Sequence, residues 1–172
     1  YFRESVETYH RKLEQTLALA IDLDIPLLFK VERDKLASLK KLLMLLCQSV
    51  PNQINISKLS AAIGSTRSTT YAYLHYLEQA NILRSVWGAG RNASMLSKPE
   101  KLYLANTNNA WALCPAPPMG TLRETFFASQ LAHAHALRYP AEGGDFIVDE
   151  RWLFEVGGPG KTGRQIEAHG DA

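Results

Sequence analysis

A chain of 172 residues with 46% apolar and 21% charged side chains has the make-up of a globular domain, which excludes a disordered tail, a collagen and a low-complexity array. The length suits one or two small domains. The net charge of +2 is uninformative as a total, but by segment it is −2 over residues 1–29, +7 over 30–105 (eleven basic against four acidic residues) and −3 over 106–172.

A basic block between two acidic ones points to a polyanionic partner for the middle of the chain. The apolar run from Leu39 to Cys47 is interrupted by Lys40 and Lys41, well short of the roughly 18 residues of a membrane span. The start at Tyr1, with Phe2-Arg3-Glu4 behind it, has no signal-peptide pattern and reads as a piece of a longer protein. Cys47 and Cys114 lie far apart with no CxxC spacing, which argues against a disulfide framework and a zinc site. A cytoplasmic location is the expectation that follows.

Val6, Tyr9, Leu13, Leu17 and Ala20 recur at helical spacing and predict a helix over 4–23, with Pro26 ending it or opening the next connection. One amphipathic helix cannot bury its stripe alone, so this one must pack on the next block or on another domain. A second helix is predicted over 33–49, with Leu36, Leu39, Leu42, Leu43 and Leu46 on one face and Val50-Pro51-Asn52 as its stop. Residues 55–64 read as a short helix entered at Ser57 and closed by Gly64, which tolerates the left-handed conformation of a C-terminal cap. Ser65-Thr66 form a turn, and a further helix runs from Arg67 to Gln79 with Thr70, Tyr73, Leu74 and Leu77 inward.

Two short helices joined by a tight Gly-containing turn, after a third helix, make a helix-turn-helix. Ile82 to Trp87 suits a strand, Lys101 to Leu104 its antiparallel partner, and residues 88–92 a basic tip between them. The order is that of a winged helix.

In such a motif the exposed N-terminal residues of the second helix meet base edges, here Arg67, Ser68, Thr69 and Ala72, with His75 further along the outward face. Arg67 would reach guanine or hold a phosphate. Lys58, Arg84, Arg91 and Lys98 are candidate phosphate contacts, which give affinity without sequence information. Tyr71, Tyr73 and Tyr76 crowd the same helix, so a protein-docking surface is the competing reading.

His133 and His135 lie two residues apart, which on a helix places them on different faces, and no third ligand cluster is near them in sequence. The Gly157–Gly163 tail follows a predicted strand, but a phosphate-binding GxxxxGK[ST] would require Gly at Glu155. A different constellation fits the last block. Glu124 sits on a predicted helix, Asp145 leads a predicted strand (143–148) and Glu155 ends another (152–156).

That is the layout of PD-(D/E)XK nuclease-like folds, in which carboxylates hold Mg²⁺ and a Lys follows the last acid by two residues. Gly157 stands at the Lys position, and Lys161 is the nearest replacement.

Taken together, the stretches "STRSTTYAYLHYLEQANIL", "KPEKLYLANTNNAWAL", "TLRETFFASQLAHA", "GGDFIVD" and "FEVGG" resemble the C-terminal half of prokaryotic AAA-type ATPases whose uncharacterised C-terminal region joins a winged helix to a PD-(D/E)XK-like domain. The resemblance implies a mixed α and β chain in three parts. Residues 1–30 would be the helical tail of an upstream ATPase module, 31–105 a winged-helix domain and 106–172 a truncated nuclease-like domain. It further implies that ATP and Mg²⁺ belong to the upstream module, that the partners are duplex DNA or that ATPase domain, and that no cofactor resides in this segment.

Family members often show EVK where this chain has Glu155-Val156-Gly157, so loss of cleavage is the simpler expectation. Were the site active, Glu124, Asp145, Glu155 and Lys161 would be its catalytic set, with Asp145 and Glu155 as metal ligands. The resulting expectation is a DNA-binding and interaction module. A metal-dependent nuclease and a simple winged-helix transcriptional regulator are the alternatives.

Overall fold

The computed structural model describes residues 4–47, 51, 54–90, 98–158 and 160. Helix α1 (Val6–Leu19) opens where Ser5 accepts a hydrogen bond from the Thr8 amide at 3.2 Å, satisfying one of the orphan donors of the first turn. Pro26 does not end this rod. A π-type turn over Ala20–Asp24 carries it into α2 (Ile25–Phe29), with the Ile25 amide reaching back to the Ala20 carbonyl. Widening the turn there gives room for the Pro26 ring, which would otherwise press on the carbonyl four residues back. Leu17, Ile21 and Ile25, each four residues apart, are the buried stripe of the rod.

After a 3-10 turn at Arg33–Lys35 comes α3 (Leu36–Cys47), which buries Leu39, Leu42 and Leu43. Helix α4 (Ile56–Ala62) is capped by Asn55, whose side chain accepts from the Lys58 amide, and not by Ser57 as the sequence predicts. Asparagine at the turn before an apolar residue competes well for that position. Gly64 (φ 65°) closes α4. The Ser65 amide returns to the Ser60 carbonyl at 2.9 Å and the Gly64 amide to Ala61 at 3.2 Å, the two bonds of a Schellman cap.

Helix α5 (Arg67–Gln79) starts at Thr66, whose hydroxyl accepts from the Thr69 amide. Its buried residues are Thr70, Tyr73, Leu74 and Leu77, as the periodicity predicts. Ser60 and Thr70 hydroxyls meet at 2.8 Å inside the α4–α5 contact, so these two buried polar groups satisfy each other.

Strands β1 (Leu83–Gly88) and β2 (Lys101–Leu104) pair antiparallel, with Leu83 opposite Leu104 and Val86 opposite Lys101. Two elements that sequence reasoning leaves unassigned follow. Helix α6 (Thr107–Leu113) is capped by Asn106, and β3 (Leu137–Tyr139) lies beyond α7 (Met119–Leu131). Strand β3 pairs parallel to β1, and β4 (Phe146–Val148) and β5 (Trp152–Phe154) continue antiparallel. The sheet therefore runs β2-β1-β3-β4-β5 as one surface.

Two apolar cores result. The larger joins Leu17, Ile21 and Ile25 of the rod to Leu39, Leu42, Leu74, Leu77, Leu83 and Leu102. The smaller holds Val86, Tyr103, Ala128, Leu137, Phe146 and Val148. The β1–β2 pair contributes to both, so it is the wall they share.

Cys47, at the end of α3, is disulfide-bonded to Cys114, just past α6, across 67 positions. This overturns the expectation drawn from their distant spacing: α3 and α6 pack together, and spacing along the chain carries no information on that. Disulfides persist in oxidising compartments, so the cysteines no longer support a reducing one. Among the described residues no helix is long and apolar enough to cross a membrane.

Candidate functional site

Two places carry chemistry. The first is the exposed start of α5. Arg67 and Ser68 stand in solvent, and Lys58 is exposed on α4. Thr69 is half-buried, with its hydroxyl 2.9 Å from that of Thr66. Ala72 is half-buried too. His75 packs edge-on against Phe29 of α2 at 6.3 Å, and Tyr76 stacks on the same ring at 4.3 Å. The second half of α5 is thus covered by α2, and the first turn is what remains open to solvent.

The other basic positions divide. Lys98 is exposed. Arg84 lies half-buried on β1, in register with Tyr103, and its Nε is buried with no hydrogen-bond partner. It faces the second core, away from α5. Lys40 is paired to Asp22 at 2.7 Å and Lys35 to Asp34 at 3.1 Å. Arg91 lies outside the described residues.

The second place is a buried cluster of which sequence reasoning finds the two carboxylates, Glu124 and Asp145, but not the cation between them. Lys101 of β2 has a side chain only 3% exposed, and its ammonium lies 3.1 Å from Glu124 Oε2 and 3.1 Å from Asp145 Oδ1. The same nitrogen sits 5.1 Å from the Tyr139 ring centre and 5.3 Å from that of Phe146, within reach of both π faces. The Tyr103 hydroxyl donates to Glu124 Oε2. Asp145 Oδ2 accepts the Val156 amide at 2.9 Å.

Burial and the adjacent Glu124 carboxylate together push the Tyr103 phenol far above its ordinary range. Lys101 thus sits between two of the three carboxylates of the predicted nuclease-like set, Glu124 and Asp145, and offsets part of their charge. An alternating strand in which Lys101 and Tyr103 share one face against Leu102 and Leu104 is the only signal present in the sequence, and it reads as a solvent face.

Glu155 is half-buried just past β5. Among the described residues no group of three or more His, Cys, Asp or Glu side chains is arranged to hold a metal ion. Lys161 and most of the 157–163 loop lie outside the described residues. His133 and His135 fall in the turn after α7, not on a helix. His135 Nδ1 lies 2.6 Å from Asp149 Oδ2, and Asp149 Oδ1 accepts the Ala136 amide at 2.8 Å. Those two hydrogen bonds, the histidine's first, hold the Asp149 carboxyl below its usual range.

What the geometry defines is a mixed α and β protein in which a helical half, with α4 and α5 joined at Gly64, shares a five-stranded sheet with a buried Lys–carboxylate cluster. The chain belongs to the family described as Domain of unknown function (DUF8612), which it matches over residues 2–116. That span takes in α1 to α6 and the whole larger core, and ends before α7. No curated protein and no solved structure is significantly similar to it.

Proposed function

We propose that this chain is a nucleic-acid-docking module without cleavage activity of its own. In this reading α3, α4 and α5 with the β1–β2 pair form a winged helix-turn-helix, and the first turn of α5 enters the groove of duplex DNA. The observation that carries it is the pairing of a fully buried inner face on α5 with an exposed Arg67 and Ser68 at its Thr66-capped start. Amides of a helix N-terminus and a guanidinium beside them suit phosphate, and Arg67 would add base reading. Lys58 and Lys98 would contribute phosphate contacts and salt dependence. Lys101 adds nothing to this surface, because its charge is spent internally on Glu124 and Asp145.

The C-terminal half, in the same reading, is a nuclease-like scaffold in which an ammonium stands where cleavage would require a divalent cation. In this reading an ATPase domain of the same protein, with its ATP and Mg²⁺, supplies the motor and this segment the grip.

Titration with random-sequence duplex DNA at low salt tests the binding. Arg67→Ala with Lys58→Ala should weaken it by roughly tenfold or more and flatten its salt dependence by about two phosphate contacts. Binding that is absent, or unchanged in that variant, removes the reading. Cleavage of plasmid in Mg²⁺ or Mn²⁺ that disappears in Glu124→Gln would favour the nuclease instead.

A further inference from the structure

Strand β5 is the last in the order β2-β1-β3-β4-β5, and among the described residues only β4 pairs with it. The Phe154 carbonyl accepts from the Asp145 amide at 2.7 Å, so the Phe154 peptide groups face inward. Successive residues of a strand point their N–H and C=O groups to opposite sides, which turns those of Leu153 outward. Sheet edges are ordinarily blunted by Pro, by inward charges or by a covering element. This one instead presents Trp152 at 45% and Phe154 at 37% exposure. Phe127 touches Phe154 at 5.1 Å between ring centres and also lines a groove of about 480 Å³ with Trp111, Met119, Phe126 and Val156. Phe127 joins the edge to this groove, whose lining is mostly apolar but includes Arg123 and Thr107.

We propose that this surface is a self-association interface, in which β5 of one copy pairs antiparallel with β5 of a second. The sequence around the edge is complementary to itself. A two-fold axis through Leu153 makes Leu153 opposite Leu153 the hydrogen-bonded pair, exchanging the outward N–H and C=O groups. It sets Trp152 opposite Phe154 at the closer, non-hydrogen-bonded spacing, where aromatic side chains pack best. It also sets Arg151 opposite Glu155, twice, with opposite charge. Three residues of edge are too little for a stable dimer, which buries roughly 1,200 Å² or more, so the adjoining groove must take part. Isologous pairing of this kind closes on itself and does not propagate into fibres.

Sedimentation velocity of the whole chain over about two decades of concentration, with amide hydrogen exchange at both ends of that range, tests the assignment. Arg151→Glu sets like charges opposite each other. Arg151 is exposed and lies over its own neighbour's ring, Trp152, so the fold is left intact. The expected result is a dimer that grows with concentration, loses about tenfold or more in affinity in Arg151→Glu and is retained in Arg151→Lys. The Leu153 amide should exchange more slowly as the dimer forms. A chain that stays monomeric, an association indifferent to Arg151→Glu, or a Leu153 amide whose exchange ignores concentration would overturn it. Capture of an unrelated extended peptide by a monomeric chain would overturn it equally.

Discussion

Lys101 and Asp145 are 44 positions apart, yet the ammonium of one and the carboxylate of the other meet at 3.1 Å inside the sheet's second core. The contact spans the boundary that the sequence suggests between a basic part and an acidic part, and Glu124 completes it from α7. Opposite charge between the segments is therefore used inside the fold, at one buried point.

Removing the cation should be costly. Lys101→Met leaves Glu124 and Asp145 facing each other, with side chains only 20% and 14% exposed. A loss of about 3–5 kcal/mol is expected from urea unfolding, the range for a buried pair deprived of one partner. Adding Glu124→Gln and Asp145→Asn to Lys101→Met should recover part of it, because the stranded charges are then gone. If the triple variant is less stable than Lys101→Met by as much again, the cluster is not held together by the attraction of Lys101 for the two carboxylates.

Tyr103 makes stability fall at high pH. Its folded-state phenol is held above its unfolded value, so its stabilising contribution is whole below about pH 10 and is lost as the pH climbs from there toward the folded value. The unfolded chain releases that proton first, and unfolding gains up to about 1.4 kcal/mol per pH unit. Tyr103→Phe should flatten this alkaline limb relative to the parent. Two parallel limbs in chemical denaturation between pH 9 and 11 (approximate bounds around the ordinary tyrosine range) would show that Tyr103 ionises freely.

The Cys47–Cys114 bond closes a loop of 67 positions. On loop-closure entropy its reduction should lower stability by about 4 kcal/mol. Urea midpoints measured with and without a thiol reductant check this, and Cys47→Ser should match the reduced parent. Equal midpoints would mean that the thiols are not joined in solution.

The legible part of the fold is the part with local rules. Helix α5 is predicted to the residue because Thr66 caps it, Asn81 can adopt a positive φ just past its end, and its apolar residues keep one period throughout. The turn at Gly64 is legible for the same reason. Pro26 misleads because a π-type turn absorbs it, which depends on Ile21 and Ile25 both being drawn into the larger core. Strand β3 is three residues long, too short for any period to show, and exists because β1 has a second edge to offer.

The candidate site divides in the same way. Arg67 and Ser68 follow from helix phase. Lys101 does not, since nothing in a four-residue strand says that its polar face is covered by α7 and β4. Arg84, in register with Tyr103, and His75, packed on Phe29, are equally polar in sequence yet half-buried.

The parallel joining of β1 to β3 has a consequence for how the chain is made. Synthesis delivers everything through α6 before β3 exists, so the larger core can condense while β1 still has one bare edge and Lys101 still has no carboxylate to meet. In that interval Val86, Tyr103 and an unpaired ammonium lie at the surface beside an open strand, the arrangement most prone to wrong pairing. Completion of the roughly 40 residues between the end of α6 and the end of β5 (about two to eight seconds of elongation at typical rates) is what retires that hazard. A chain stopped after α6 would carry it permanently.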